Sequence, residues 1–480
     1  MSGQREQVSI EATKKLCNYA LDLRFEDLDD KTIEDTKNII IDVMGCIIGG
    51  SCVPDVIALA DLAHEWGGAK EASIMVYDYQ VPVHEAALVN CVMCRAFDFE
   101  PVAFIFEGKR YPPHIAGTTC PSAISLGEYG KMNGKDLLTS LVVANDITCR
   151  IVAATTHPWH ISAEARMGLL AAAEGRRPRG VGIGWGTVNA LGVAASAARV
   201  FGLNSDQLRH AFGISLNMMA GPGGGIMEGC PDFKLGQGLS ARAGIVAVRM
   251  AKRGWTGPKD PLALFYDAFS PFGLDHPENL TKDLGKKFYY ETIFKPYPGG
   301  RPTHKPIEAA LAIVKKHEFK AEDIEEVILL ISSADKYGHY WKPFEIRDYP
   351  MCDALFSYKY ATATALLRKR VTPENFMEEA IRDPRVKDLI RKIKLGDSPK
   401  EKGVELTVKL KDGREFYEYV GDAKGDPPNL MTREDLIDKF MMQVEFSKKI
   451  SKENAKKLID LILHIEDVDD IRKLVKLACA

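Results

Sequence analysis

The stretch Lys295-Pro-Tyr-Pro-Gly-Gly-Arg-Pro-Thr-His304 lies between two parts of the chain that have different sequence patterns. Its three prolines fix the backbone φ angle and remove amide donors, so the stretch cannot join a helix or a sheet. The same loop carries Lys295, Arg301 and His304, which a stiff backbone can hold at a defined distance from an anion. The residues alone leave two interpretations equally open: an anion-binding site, or a surface loop with ordinary charges.

The part before this stretch has the pattern of successive helices. Apolar residues recur at helical spacing from Ile33 to Ile47, and further apolar helices are predicted over 136–154 and 190–201. Asn204, followed three residues later by Gln207, predicts a capping box at the start of another helix. The small residues within 190–201 allow helices to approach closely, as in a compact bundle.

The pattern changes after about residue 270, where Pro271 and Pro277 mark a boundary. Strands and helices then occur together, as in a smaller α+β unit. The predicted strands cover 288–294, 326–332, 404–410 and 416–420, and predicted helices lie near 306–316 and 358–368. The C-terminal part is helical again and begins with the capping pattern of Thr432 and Asp435.

A chain of 480 residues is too long for one simple core, so more than one structural unit is expected. We divide it into a helical domain over 1–270, an α+β lid domain over 271–425 and a second helical part over 426–480. A helical segment that follows an inserted α+β unit can rejoin the first helical domain.

Composition excludes several classes of function. Hydrophobic residues make up 46% of the chain and charged residues 27%, and the net charge of −3 predicts neither a nucleic-acid nor a membrane partner. No apolar run approaches the roughly 20 residues that span a bilayer, and residues 1–8 lack the apolar core of a secretory signal. The ten cysteines are scattered, which favours reduced thiols and a cytoplasmic location.

Two glycine-rich segments do not match nucleotide-binding loops. Residues 180–186 lack the preceding strand of a dinucleotide-binding loop, and residues 221–225 lack the Gly-Lys-Ser/Thr of a phosphate-binding loop. The second segment is either a break between helices or a loop whose backbone, at Gly223 and Gly224, approaches a ligand. The nearby Lys234 favours a ligand.

Several titratable residues are candidates for acid–base chemistry. Asp98 and Glu100 end an apolar helix, where a carboxylate is either a group with a raised pKa or an ordinary polar residue of a helix end. His114 stands between two prolines and a predicted helix, whereas His157 and His160 are equally well explained by a capped helix end. The absence of a His-Glu-x-x-His or similar pattern predicts no metal site.

Several segments together form the sequence pattern of one known family. They accompany the acidic helix end at Asp98, the histidine His114 and the glycine-rich segment 221–225. They are Ile41-Asp-Val-Met-Gly-Cys46, Lys295-Pro-Tyr-Pro, Thr303-His304, Phe356-Ser357 with Tyr360-Ala361, and Lys424-Gly-Asp-Pro-Pro-Asn429 followed by Lys439-Phe440. On these motifs the chain resembles the MmgE/PrpD family along essentially its whole length. That family includes 2-methylcitrate dehydratase, cis-aconitate decarboxylase and iminodisuccinate epimerase.

The resemblance implies a mainly α fold with a smaller α+β domain: a large all-α helical domain formed by both chain ends, plus an inserted α+β lid domain. It also implies a homodimer that uses no metal or organic cofactor and acts on a small di- or tricarboxylate between its domains. The implied catalytic residues are Asp98, His114, Lys234, Lys295, His304 and Tyr360. The expected substrate-binding residues are Lys234, Lys295, Arg301, Gly223 and Gly224.

The chain departs from the family pattern at two places. Val102 replaces a threonine, so a hydroxyl donor is lost, and Ile183 stands where the family has a histidine implicated in catalysis. His157 or His160 is a possible source of the missing imidazole. These changes bear on the reaction and leave the predicted fold unaffected.

The chemistry shared by the family is abstraction of a proton next to a carboxylate, which requires neutralisation of the charge that develops. Loss of a β-hydroxyl then gives dehydration, reprotonation on the other face gives epimerisation, and loss of carbon dioxide gives decarboxylation. We expect a hydro-lyase for a hydroxylated substrate of the citrate or 2-methylcitrate type. An epimerase, isomerase or decarboxylase is the second expectation, and a non-catalytic paralogue with a carboxylate pocket is the third.

Overall fold

The structure, a computed structural model, describes residues 2–157, 160, 188–219 and 225–479. Most of the described chain before residue 270 is helical. Its helices are α1 (Ser2–Asp22), α2 (Asp30–Gly50), α3 (Pro54–Trp66), α4 (Val83–Arg95), α5 (Ala116–Gly130), α6 (Gly134–Ala153), α7 (Asn189–Phe201), α8 (Ser205–Ser215), α9 (Gly225–Glu228), α10 (Leu235–Lys252) and α11 (Pro261–Phe269). Two short antiparallel hairpins interrupt them: β1 (Ala72–Ile74) with β2 (Tyr79–Val81), and β3 (Phe104–Phe106) with β4 (Lys109–Tyr111).

The helical domain contains both ends of the chain, which confirms the predicted architecture. The C-terminal helices are α17 (Arg433–Ser447), α18 (Lys452–Leu463) and α19 (Arg472–Ala478). Helix α17 packs against α2, where the side chain of Gln443 lies over Gly45 and Gly49. Among the described helices none alone is long and apolar enough to cross a membrane, and α2 and α3 reach that length and composition only as a pair bent by 91°.

The α+β domain has a four-stranded mixed sheet with the order β6-β5-β7-β8. Its strands are β5 (Ile324–Ile331), β6 (Ile393–Asp397), β7 (Val404–Leu410) and β8 (Glu415–Val420). Strand β6 is parallel to β5, and the other neighbours are antiparallel. The helices are α12 (His304–Lys316), α13 (Pro350–Leu355), α14 (Tyr358–Arg368), α15 (Glu378–Ile381) and α16 (Pro384–Lys392). Helix α12 packs on β7 and β8 and also contacts α14.

One predicted strand, 288–294, is wrong. The segment is largely buried, but it belongs to no sheet. It makes two backbone hydrogen bonds to the segment before β3: the N–H of Val102 donates to the carbonyl of Ile293 (2.8 Å), and the N–H of Thr292 donates to the carbonyl of Ala103 (3.3 Å). Ala103 has a φ of +67°, which turns the chain and prevents a longer ladder. The proposed domain boundaries stay predictions.

Candidate active site

The loop 295–304 connects the helical domain to the α+β domain. The Lys295 ammonium is fully buried and donates to the backbone carbonyl of Asp98 (2.6 Å) and to its carboxylate Oδ1 (2.8 Å). The N–H of Gly299 donates to the carbonyl of Phe97 in the helical domain (2.9 Å), while the N–H of Gly300 donates to the carbonyl of Leu355 in the α+β domain (3.0 Å). The loop is therefore a structural junction, and its lysine points inward.

Asp98 is presented to Lys295 by an unusual backbone turn. Helix α4 ends at Arg95, and Asp98 has a φ of +48°, in the left-handed region. Aspartate is one of the few non-glycine residues that adopt this conformation at modest cost. The turn aims the carbonyl and the carboxylate of the same residue at one ammonium group.

Arg95 lies at the centre of a buried charged cluster. Its Nη1 donates to the carboxylates of both Asp98 and Glu100, and its guanidinium packs on the ring of Phe233 with 5.3 Å between Cζ and the ring centroid. Glu100 also accepts from Nε2 of Gln237 at 3.1 Å. Two cations, Arg95 and Lys295, thus face two carboxylates inside the domain.

His114 completes this cluster. Its Nδ1 lies 2.8 Å from Oε1 of Glu100 and 2.8 Å from Nη1 of Arg95. Hydrogen bonds also fix the backbone of His114 and of the two residues that follow it. Nδ2 of Asn189 donates to the His114 carbonyl (2.7 Å), and the amides of residues 115 and 116 donate to the carboxylate of Glu291 (2.8 and 2.7 Å).

Burial and neighbouring charges act differently on the three titratable groups. Burial opposes ionisation of Glu100, but Arg95, the hydrogen bond from His114 and the Lys295 charge together outweigh it, and the pKa of Glu100 lies well below its ordinary value. Burial, reinforced by the Arg95 charge, lowers the pKa of His114, so the ring is neutral at pH 7. Burial raises the pKa of Glu291 to about 8, although two backbone N–H groups favour its charged form.

The α+β domain covers the cluster with aromatic side chains. Tyr340 contacts the junction loop so closely that a Cβ on Gly300 would lie 1.8 Å from its hydroxyl. Burial and the Asp98 charge raise the pKa of Tyr340 well above its ordinary value. Burial and the Lys342 charge lower the pKa of His339 to about 4.

A cavity of about 290 Å³ opens between the two domains beside these residues. Its lining includes Ile226, Met227, His339, Lys342, Arg347 and Phe356. The ring of Phe356 contacts Phe233 edge-on (5.4 Å between centroids), and Phe233 in turn supports Arg95. The charged cluster does not line the cavity itself, and Phe233 links the two.

Three predicted catalytic residues, Lys234, Tyr360 and His304, do not join the cluster. The ammonium of Lys234 is held by Asp55 (2.9 Å) and by the hydroxyl of Tyr349 (2.6 Å). Burial lowers the pKa of Lys234, and Asp55 partly offsets this effect. The hydroxyl of Tyr360 donates to the carbonyl of Asn375 inside the α+β domain. The catalytic roles assigned to Lys234 and Tyr360 stay predictions.

His304 and Arg301 form a second group next to the cluster. Nη1 of Arg301 lies 2.8 Å from Nδ1 of His304, and the guanidinium also binds Asp426 and the carbonyl of Lys424. Arg301 thereby attaches the junction loop to the segment that leads to α17. Burial and the Arg301 charge hold the pKa of His304 well below its ordinary value.

The two histidines proposed as substitutes lie elsewhere. Both rings pack edge-on against Tyr111, at 6.3 Å for His157 and 4.7 Å for His160, and His160 contacts the carbonyl of Arg110. Val102 is buried, with its amide bonded to the backbone of Ile293. The predicted residues Gly223 and Gly224, and Ile183, lie outside the described part of the chain.

Asp98, Glu100 and His114 are the described residues whose donor atoms, all within 4.8 Å of one another, could hold a metal ion. Nη1 of Arg95 bonds to Asp98 and Glu100 and lies beside His114. The guanidinium of Arg95 thus already supplies these three side chains with the positive charge that a metal ion would provide.

Sequence reasoning missed Arg95, Gln237, Glu291 and Tyr340. Arg95 stands in the last turn of a helix, where a cation is usual because it offsets the helix dipole. Glu291 gave a signal, since an acidic residue within an otherwise apolar extended run requires a buried partner. Gln237 and Tyr340 gave none.

Comparison with known proteins agrees with this architecture. The MmgE/PrpD N-terminal domain matches residues 14–272, and the MmgE/PrpD C-terminal domain matches residues 297–465. A cis-aconitate decarboxylase of Mus musculus is 25% identical, with 95% of this chain and 91% of the relative covered. That of Homo sapiens is 26% identical (95% and 92% covered), and one of Aspergillus terreus is 22% identical (97% and 95% covered). The two matched domains together span most of the chain, which therefore belongs to the MmgE/PrpD family.

Proposed function

We propose that this protein is a lyase that acts on a small tricarboxylate and transfers a proton at the carbon next to a carboxylate. The observation that carries the proposal is the buried cluster of Lys295, Arg95, Asp98, Glu100 and His114, which Phe233 links to the cavity between the two domains. The relatives, which are cis-aconitate decarboxylases, support the same substrate class and the same broad class of reaction.

In this proposal His114 is the base. The ring is neutral, so it has a lone pair to accept a proton, and its side chain is 9% exposed, which leaves an edge open to a substrate. The geometry also gives Lys295 a role. An ammonium group has three N–H donors, and among the described residues Asp98 takes two of them, which leaves the third for a substrate oxygen. A fixed N–H of this kind stabilises the negative charge that develops after proton abstraction.

Our finer proposal is a hydro-lyase for a hydroxylated substrate of the citrate or 2-methylcitrate type. Removal of the proton and departure of the β-hydroxyl give a carbon–carbon double bond. The second candidate is decarboxylation, favoured by the names of the relatives. Both use the same imidazole and cation, but dehydration starts with removal of a C–H proton by the neutral ring, whereas loss of carbon dioxide leaves a carbanion that must take up a proton.

The experiment that tests this proposal is incubation of the purified protein with citrate, 2-methylcitrate and cis-aconitate in deuterated buffer. A new absorbance of a double bond supports dehydration, and release of carbon dioxide supports decarboxylation. Deuterium in the recovered substrate without either product supports epimerisation. His114→Gln should abolish the active signal, whereas His464→Gln, at an exposed histidine in the last part of the chain, should not. Absence of all three signals would refute the lyase.

We also propose that the protein is a cytoplasmic homodimer that needs no metal or organic cofactor. Light scattering coupled to gel filtration tests the dimer. Dialysis against a chelator, followed by the assays above, tests independence from metals. A monomer or a loss of turnover after chelation would contradict the respective part of the proposal.

A further inference from the structure

The contact between Arg95, Glu100 and His114 restricts where the hydrogen atoms can lie. Nη1 of Arg95 carries two hydrogens. Two carboxylate oxygens, Oδ1 of Asp98 and Oε1 of Glu100, lie within hydrogen-bond distance of this nitrogen and take both of them. Arg95 therefore has no Nη1 hydrogen left for Nδ1 of His114, although the two nitrogens are only 2.8 Å apart.

Nδ1 of His114 must then satisfy its other neighbour. Oε1 of Glu100 lies 2.8 Å away and belongs to a carboxylate that the nearby cations keep ionised. An ionised carboxylate only accepts hydrogen bonds, so Nδ1 carries a hydrogen and donates it to Glu100. In a neutral imidazole the second nitrogen, Nε2, then holds the lone pair.

We infer that Glu100 is a positioning residue, which fixes His114 as the Nδ1–H tautomer so that Nε2 is the proton acceptor of the site. A buried carboxylate that orients an imidazole in this way also stabilises the imidazolium formed after proton transfer. Gln237 holds Glu100 in place through its bond to the same oxygen (3.1 Å). Nε2 of His114 lies 3.5 Å from Nη1 of Arg95, whose two hydrogens point to the carboxylates, and among the described residues no hydrogen bond from Nε2 to an oxygen is seen, so its lone pair can face a substrate.

This inference deepens the proposed function, but its decisive test needs no substrate. The protein is labelled with ¹⁵N in its histidine side chains, and His114→Gln identifies the His114 signals by their loss. At neutral pH we expect the hydrogen of His114 on Nδ1 and a bare Nε2. A hydrogen on Nε2 in the unmodified protein would overturn the inference, whereas missing turnover would count only against the lyase.

A variant separates positioning from a general effect on the fold. Glu100→Gln removes the charge with little change of shape, so the fraction of the Nδ1–H tautomer should fall. With an identified substrate, kcat should fall about 100-fold or more, with little change in KM. The control is Glu85→Gln. Glu85 is a buried glutamate at the other end of α4, and its carboxylate pairs with Arg242. Unchanged tautomer and unchanged kcat in Glu100→Gln would overturn the inference. If this variant does not fold, the spectrum of the unmodified protein decides alone.

Discussion

At the scale of single residues, Lys295 is the link between the charged cluster and the junction loop. It binds a backbone carbonyl and a carboxylate of the same aspartate, and this requires the left-handed turn at Asp98. Arg95 alone would leave two buried carboxylates with one positive charge. The lysine therefore completes the charge balance of the cluster before any ligand arrives.

Replacement of Lys295 by methionine should be costly because it leaves an uncompensated charge in the interior. We expect a loss of about 3–5 kcal/mol in the free energy of unfolding, together with loss of lyase activity. Denaturant unfolding followed by two spectroscopic probes measures the first effect. The matched control is Lys282→Met, which breaks an exposed ion pair to Glu107 and should cost about 1 kcal/mol or less. Equal costs for the two variants would contradict the buried role of Lys295.

Glu291 should make the stability of the folded protein depend on pH. Its pKa is about 8 in the folded chain and near the ordinary value of 4.5 in the unfolded chain. Between these values the folded state binds the extra proton, so the contribution of Glu291 to stability is complete below about pH 4.5 and is lost as the pH rises towards 8. Relative to Glu291→Gln, the unmodified protein should therefore lose thermal stability between about pH 5 and about pH 8. A constant difference in Tm across this range would contradict the shifted pKa.

At the scale of secondary-structure elements, the sequence predicted helix caps, which depend on nearby residues, but it did not predict which segments pair as strands. The capping boxes of Asn204 with Gln207 and of Thr432 with Asp435 are confirmed, because each depends on residues three positions apart. The run 288–294 is buried as its apolar residues require, but a strand also needs a partner of matching length. The position of that partner is a tertiary property, and here a turn at Ala103 ends the pairing after two bonds.

The crossing of α2 and α4 depends on Gly50, the last residue of α2. A Cβ on Gly50 would lie 1.9 Å from the carbonyl of Met93, two residues before Arg95. Gly50→Ala should therefore destabilise the protein by about 1–3 kcal/mol, although alanine is the better helix former, and it should lower activity because the end of α4 moves. Thermal unfolding and the lyase assay measure these effects. Gly338→Ala, with no atom within 4 Å of the added Cβ, is the control and should leave stability within about 0.5 kcal/mol.

At the scale of the whole molecule, the site depends on contacts that sequence alone could indicate only in part. The resemblance to the family indicated Asp98, His114 and Lys295, and the structure brings these three together. It also indicated Lys234, but the fold turns that side chain towards Asp55. Neighbouring positions of a chain point in different directions, so an assignment based on sequence is sensitive to a shift of one residue. In the structure Phe233 packs on Arg95, whereas the Lys234 ammonium is bound by Asp55 and Tyr349, and its catalytic role stays a prediction.

Asp55, Lys234 and Tyr349 form a contact that holds the two domains together. The hydroxyl of Tyr349 donates to Asp55 (2.7 Å) and accepts from Lys234 (2.6 Å), and it is the part of the contact that the α+β domain supplies. Tyr349→Phe removes these two bonds and keeps the ring. Hydrogen bonds to charged groups contribute about 1.5–3 kcal/mol, so the closed arrangement of the domains should weaken by about that amount.

Hydrogen exchange measured by mass spectrometry tests this prediction, since opening exposes the amides of α13, which directly follows Tyr349. We expect faster exchange in α13 for Tyr349→Phe and unchanged exchange for Tyr417→Phe, whose hydroxyl bonds to Glu405 on an exposed face of the sheet. The same experiment bears on Lys234. If its main role is to hold the domains, Lys234→Met should accelerate exchange in α13 as Tyr349→Phe does. If Lys234 instead binds substrate, Lys234→Met should raise KM while exchange in α13 stays as in the unmodified protein, and the interdomain role would be refuted.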